Sequence, residues 1–229
     1  MYFISSSNLF LRLRNLLHSV APGFSDMVES ARKAEKYRRV IVKSGFVLPL
    51  PPFMKRSILL RFALDNGCST FVETGTQYGD TPWLLRDRFQ SIYTIELSAR
   101  LAGIARDRFR KYPHIQVVEG DSGEKLASLL PTLKSKTLFW LDGHYSAGVT
   151  AQGELDCPIY AELQSIFDKC PVPFVVLIDD ARCFGTEKDY PTIRELKDFI
   201  AKKTTSAEVA VTNDIISIVV LDSPNVITH

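Results

Sequence analysis

Five short runs rich in β-branched and aromatic residues each end in a carboxylate, and helix-like patterns separate them: Ser69–Glu73, Ser91–Glu96, Ile115–Glu119, Thr137–Asp142 and Phe174–Asp179. Strands that alternate with helical segments in this way are expected to lie parallel, because each helix crossover carries the chain back to the same end of the sheet. Helix starts are legible between them. Thr81 precedes Pro82 as a cap, Ser98 precedes the apolar spacing Leu101, Ile104 and Ala105, Cys157 precedes Pro158, and a last helix opens at Pro191. The tail differs, since Glu208–Thr212 and Ile215–Leu221 are separated only by Asn213-Asp214. That gap is too short for a crossover and predicts an antiparallel hairpin at the sheet edge. The expected fold class is α/β: a Rossmann-like open, mostly parallel sheet with helices on both faces and a C-terminal antiparallel hairpin.

Two further helical patterns precede the sheet, one through Leu9, Leu13, Leu16, Leu17 and Val20, the other through Phe24, Met27, Val28, Ala31, Ala34 and Ile41. The proline-rich stretch Leu48–Phe53 reads as a stiff connector rather than a regular helix. This divides the chain into an N-terminal helical extension with its connector, residues 1–56, and a main domain, residues 57–229. A hydrophobic fraction of 45% and a charged fraction of 24% exclude a disordered or collagen-like chain. The four cysteines show no CxxC spacing, which argues for reduced thiols and against a zinc site or a disulfide framework. The first residues lack the charged-then-apolar order of a signal peptide, and no apolar run reaches the ~20 residues of a bilayer span. A cytoplasmic location is expected.

The net charge is +2, yet residues 1–43 carry eight Lys or Arg against three acids, so the main domain is slightly acidic. With no basic stripe interleaved with aromatics, nucleic acid is disfavoured as a partner. A peripheral membrane contact by the first helix is open but less favoured than packing on protein. A homodimer also stays open.

In an open parallel sheet, ligands bind outside the carboxyl ends of the strands. The first strand runs into Glu73-Thr-Gly75-Thr76-Gln-Tyr-Gly79-Asp-Thr81-Pro82, a glycine turn that leads into a helix N-terminus. Its spacing is not the G-x-G-x-x-G of dinucleotide enzymes, and the strand before it ends in an acid, which suits a cofactor bearing a cation. The second strand ends in Glu96, placed to accept hydrogen bonds from a ribose diol.

These residues resemble the class I S-adenosylmethionine-dependent methyltransferases over about residues 68–222. The resemblance implies that Glu73, Gly75, Thr76, Gly79 and Thr81 meet the methionine part of S-adenosyl-L-methionine. It further implies that Glu96 holds the ribose, that Asp121 and Ser122 lie by the adenine, and that Asp142 borders the same site. The family's strand order would place the last antiparallel strand inside the sheet.

The fourth and fifth strands end in Leu141-Asp142-Gly-His144-Tyr145 and Ile178-Asp179-Asp180-Ala-Arg182. Three converging carboxylates repel one another and need protons, a basic partner or a cation, and a hard divalent ion such as magnesium suits oxygen ligands. The pattern resembles the metal-dependent O-methyltransferases of the catechol and macrolide-sugar types, which implies Asp142, Asp179 and Asp180 as metal ligands. Where the catechol type has a basic lysine, this chain has Tyr145, so His144 becomes the candidate general base. The plainer alternative has Asp142 and Asp179 satisfying turn N–H groups and Asp180 pairing with Arg182.

The long glycine-containing connection Gly143–Asp156 is placed to cover an acceptor. The function expected is methylation of a hydroxyl on a small molecule or glycan. A catalytically inactive S-adenosylmethionine-binding subunit and a dinucleotide-dependent oxidoreductase are the alternatives.

Overall fold

The computed structural model describes residues 50–142, 159–187 and 190–220. Chain contacts divide the molecule into two units, Met1–Lys55 and Arg56–His229. The described elements are α1 (Pro52–Asp65), β1 (Thr70–Thr74), α2 (Asp80–Leu85), β2 (Ser91–Glu96), α3 (Ala99–Phe109), β3 (Ile115–Glu119) and α4 (Ser122–Leu129). They continue with β4 (Thr137–Leu141), α5 (Ile159–Lys169), β5 (Phe174–Ile178), α6 (Ile193–Lys203), β6 (Ala207–Thr212) and β7 (Ile215–Val220).

The seven strands form one sheet in the order β3-β2-β1-β4-β5-β7-β6. The first five are parallel, β7 runs antiparallel to β5, and β6 pairs antiparallel with β7. The hairpin therefore does occupy the edge, with its second strand inside. The apolar residues decide this: Ile215, Ile216 and Ile218 of β7 are buried, whereas most of β6 is exposed. Asn213 and Asp214 both have positive φ, 52° and 63°, the backbone a two-residue hairpin turn requires and these side chains tolerate.

Strands β1, β4 and β5 are buried at every position, as expected for strands covered on both faces, and their continuous apolar runs are the reason. Val72, Phe139, Leu141, Val176 and Ile178 pack with Leu126, Leu163, Ile166, Leu196 and Ile200 of α4, α5 and α6. This core holds the strand ends of β1, β4 and β5 in fixed register.

Local expectations are corrected at three helix starts. Pro52 and Phe53 belong to the first turn of α1 rather than to a connector, because a missing N–H costs nothing there. Gly79, not Thr81, is the residue before α2, in a left-handed conformation and with no side-chain cap. The last helix begins after Thr192, which forms a reciprocal capping box with Glu195, two residues beyond Pro191 in register. Ser98 caps α3 as expected. Cys157 and Pro158 lie outside the described residues. Among those described, no helix is long and apolar enough to cross a membrane.

Candidate active site

The chain leaves β1 toward β2 and β3 on one side and returns to β4 and β5 on the other, so the strand order reverses between β1 and β4. A cleft opens at such a point because the connections diverge. The predicted cofactor residues gather along the β1, β2 and β3 ends.

Gly75 has φ 87°, and a Cβ built on it would lie 3.3 Å from the Cβ of Asp142. The glycine loop is thus pressed against the end of β4. Gly79 has φ 76°, and a Cβ there would meet the Phe109 ring at 2.7 Å, so this position needs glycine for both conformation and space. The N–H groups of Gly75 and Thr76 both donate to the carbonyl of Ile95, fixing the turn to β2.

Glu96 is buried, and its two oxygens accept from the backbone N–H of Gln77 at 2.7 Å and of Ser98 at 2.9 Å. A carboxylate oxygen has a second lone pair, so this acid keeps acceptor capacity. Glu73 is buried beneath the loop and accepts from the Thr94 hydroxyl at 2.8 Å, while that hydroxyl also pairs with Thr76. Burial pushes the Glu73 carboxyl up to about 8, against the Thr94 and Thr81 hydroxyls, and Asp142 and Glu96 add to the rise. Asp121 caps α4 by accepting from the N–H groups of Gly123 and Glu124 at 2.9 and 3.3 Å, and Ser122 begins the helix.

The structure brings the three predicted metal ligands together. Oxygens of Asp142, Asp179 and Asp180 lie within 4.8 Å of one another, and Asp179 and Asp180 are buried. An all-oxygen donor set of this size fits a hard divalent ion. The arrangement also contains the ion pair foreseen as the plainer alternative: the Arg182 guanidinium donates to Asp180 at 2.7 Å and to Asp214. Asp214, in the β6–β7 turn, accepts in addition from the backbone N–H of Arg182 at 2.8 Å. The hairpin turn is therefore tied to the acid cluster. Asp180 itself has φ 57°, a left-handed conformation that turns it back toward its neighbours.

His144, Tyr145 and the connection Gly143–Asp156 lie outside the described residues. Sequence reasoning missed Asp214 and Glu162. Glu162 is fully buried on α5, and the signal was present: it falls on the helix stripe formed by Ile159, Leu163 and Ile166. Burial pushes its carboxyl up to about 7.

No family model and no curated protein matches this chain. Solved structures do. A Podospora anserina methyltransferase bound to SAH is 16% identical, with a TM-score of 0.53 over 97% of this chain and 98% of that one. An O-methyltransferase from Bacillus cereus in complex with SAH is 14% identical, with a TM-score of 0.52 over 91% and 97%. A putative caffeoyl-CoA O-methyltransferase from Staphylococcus aureus is 12% identical, with a TM-score of 0.52 over 80% and 90%. At these identities the likeness is one of fold: the chain shares the Rossmann-like fold of these solved methyltransferase structures.

Proposed function

We propose that this chain transfers a methyl group from S-adenosylmethionine to a hydroxyl oxygen of a small molecule or glycan. The observation that carries the reading is the contact of Gly75 with Asp142, which sets a cofactor-type glycine loop directly against a carboxylate cluster. Two kinds of ligand site would then share one wall. The SAH-bound neighbours of the same fold support the choice of cofactor.

In this reading Glu96 accepts hydrogen bonds from the ribose diol through the lone pairs its backbone donors leave free, and Asp121 and Ser122 border the adenine. Glu73, Gly75, Thr76, Gly79 and Thr81 shape the wall around the methionine portion. Asp142, Asp179 and Asp180 would hold a magnesium ion, which when bound supplies positive charge that lowers the pKa of an acceptor hydroxyl. The acceptor oxygen forms its bond to the methyl carbon as the carbon–sulfur bond breaks, and its proton passes to the imidazole of His144, with Tyr145 as the second candidate of that segment. Alignment of the two reactants is a large part of what the protein contributes to such a displacement.

A second reading has its own observation. Arg182 supplies positive charge to Asp180, so the acids could orient an acceptor hydroxyl by hydrogen bonds without an ion. Calorimetric titration with S-adenosylmethionine and SAH, in magnesium and in EDTA, followed by turnover on polyhydroxylated acceptors, separates these readings. Micromolar binding with magnesium-dependent turnover is the expected result. Turnover that survives EDTA selects the ion-free reading, binding without turnover on any acceptor points to the inactive subunit, and no binding of either nucleoside overturns the proposal.

A further inference from the structure

Glu162 breaks the rule that buried carboxylates are hydrogen-bonded. It is wholly inaccessible, and neither of its oxygens has a partner. The hydroxyl of Thr74, the last residue of β1, is likewise buried and without a partner. These groups belong to one place. The Ser122 and Thr74 hydroxyls oppose the rise that burial imposes on this carboxyl, although neither closes a hydrogen bond to it, and Asp121 and Asp142 add to that rise.

All four neighbours border the cleft: Thr74 adjoins Gly75, Asp121 and Ser122 form the head of α4, and Asp142 follows β4. The heads of the two helices are in close contact, since a Cβ on Gly123 of α4 would lie 3.9 Å from the Cβ of Ala161 on α5. Retaining an acid at an apolar helix position, without donors, lowers stability relative to an apolar side chain of similar volume. Residues that violate local rules in this manner concentrate at functional sites, where stability is given up for activity.

We propose that Glu162 is a positioning residue of the cofactor cleft: the acceptor onto which the Ser122 and Thr74 hydroxyls turn when the nucleoside end of the cofactor binds, locking the end of β1 to the head of α4. The inference rests on the reading of this cleft as an S-adenosylmethionine site. The carboxylate acts through the two hydroxyls and does not touch the reacting atoms.

The test compares Glu162→Met, which keeps the bulk and removes the acceptor, with Glu162→Gln, which keeps an acceptor oxygen. Two quantities are measured in EDTA: the melting temperature of the ligand-free protein and the affinity for SAH by calorimetry. In Glu162→Met the melting temperature should hold or rise by about 2–4 °C, while SAH binds about tenfold more weakly. Glu162→Gln should stay within about threefold of wild-type affinity, since its amide oxygen still accepts.

A purely structural residue would behave in the opposite sense. A lower melting temperature with unchanged affinity in Glu162→Met overturns the proposal, as does a Glu162→Gln protein that binds as poorly as Glu162→Met. Should Glu162→Met not fold, Thr74→Val decides, because removing that donor should weaken SAH binding about threefold and wild-type affinity would overturn the role. A wild-type protein that binds no SAH defeats the cofactor reading itself. Wild-type binding that all three variants share defeats this inference alone.

Discussion

The acids at the flank of the cleft and those at its centre live in different electrostatic surroundings. On the flank, at the ends of β2 and β3, Glu96 accepts two backbone N–H groups, Asp121 caps α4, and the half-exposed Glu119 pairs with Arg106 at 2.8 Å. At the centre, under β1, β4 and β5, burial is the main cause that raises Glu73 and Glu162, and Asp142 adds to both. Asp180 draws on Arg182, which is shared with Asp214. The flank acids have their partners before any ligand arrives. The centre gathers Asp142, Asp179 and Asp180 against the guanidinium of Arg182, a surplus of negative charge that a cation would relieve.

A cationic methyl donor and a divalent ion are ligands that such a centre would attract, whereas a neutral thioether would gain less from it. The strongest test of the difference is Asp179→Asn, a nearly isosteric change at a buried centre position. Magnesium affinity should fall at least ~100-fold by calorimetry, as expected for removing a direct charged ligand where outer partners alone are worth 10–100-fold. SAH affinity should stay within about threefold. Unchanged magnesium affinity would return the cluster to turn geometry and the Arg182 ion pair. On the flank, Glu96→Ala should cost about 1.5–3 kcal/mol of SAH binding and leave magnesium affinity unchanged. Equal losses of both ligands in either variant would mean that flank and centre are one coupled unit.

The positions of the strand-end acids were readable from sequence and their contacts only in part. Glu73, Glu96 and Asp142 stand at strand ends, and the period of the apolar runs fixes those ends to within a residue, so their convergence follows from a parallel sheet. The contact of Gly75 with Asp142 joins residues far apart in sequence and depends on β1 pairing with β4, which alternation alone does not specify. The Asp214 contact needed the hairpin to turn β7 inward. Glu162 was hidden for another reason: one acid on an apolar stripe is usually read as a helix irregularity, and only burial without a partner sets it apart. The start of α2 was misplaced because Thr81-Pro82 has the letters of a cap, while a left-handed Gly79 already ends the loop.

The loop that joins flank to centre gives a smaller effect. Gly79→Ala puts a methyl group into the Phe109 ring at a φ that alanine adopts reluctantly, and should cost about 1–3 kcal/mol of stability in urea unfolding. SAH binding by the folded fraction should weaken with it, because the turn that presents Gly75 and Thr76 is displaced. Full stability in this variant would show the loop to be more adaptable than its packing implies.

The smallest effect is a slope. Glu73 and Glu162 titrate near 8 and 7 in the folded chain against an ordinary 4.5, so between about pH 4.5 and 8 the folded state holds protons that the unfolded state has lost. Stability must then fall as pH rises through that window and level off above it, by at most ~1.4 kcal/mol per pH unit for each group. Asp168, held down by Lys203, and Glu195, held down by Thr192, change stability only below the ordinary carboxylate range and do not overlap. Thermal unfolding of the ligand-free protein should therefore show a lower melting temperature at pH 8 than at pH 6, and Glu73→Gln should flatten the upper part of the curve. A bound cation favours the ionised carboxyl, so S-adenosylmethionine should flatten the slope more than SAH, which lacks the sulfonium charge. Identical slopes with the two ligands would mean that the sulfonium charge is not felt at the centre, and the contrast between the two groups of acids would then concern folding rather than cofactor choice.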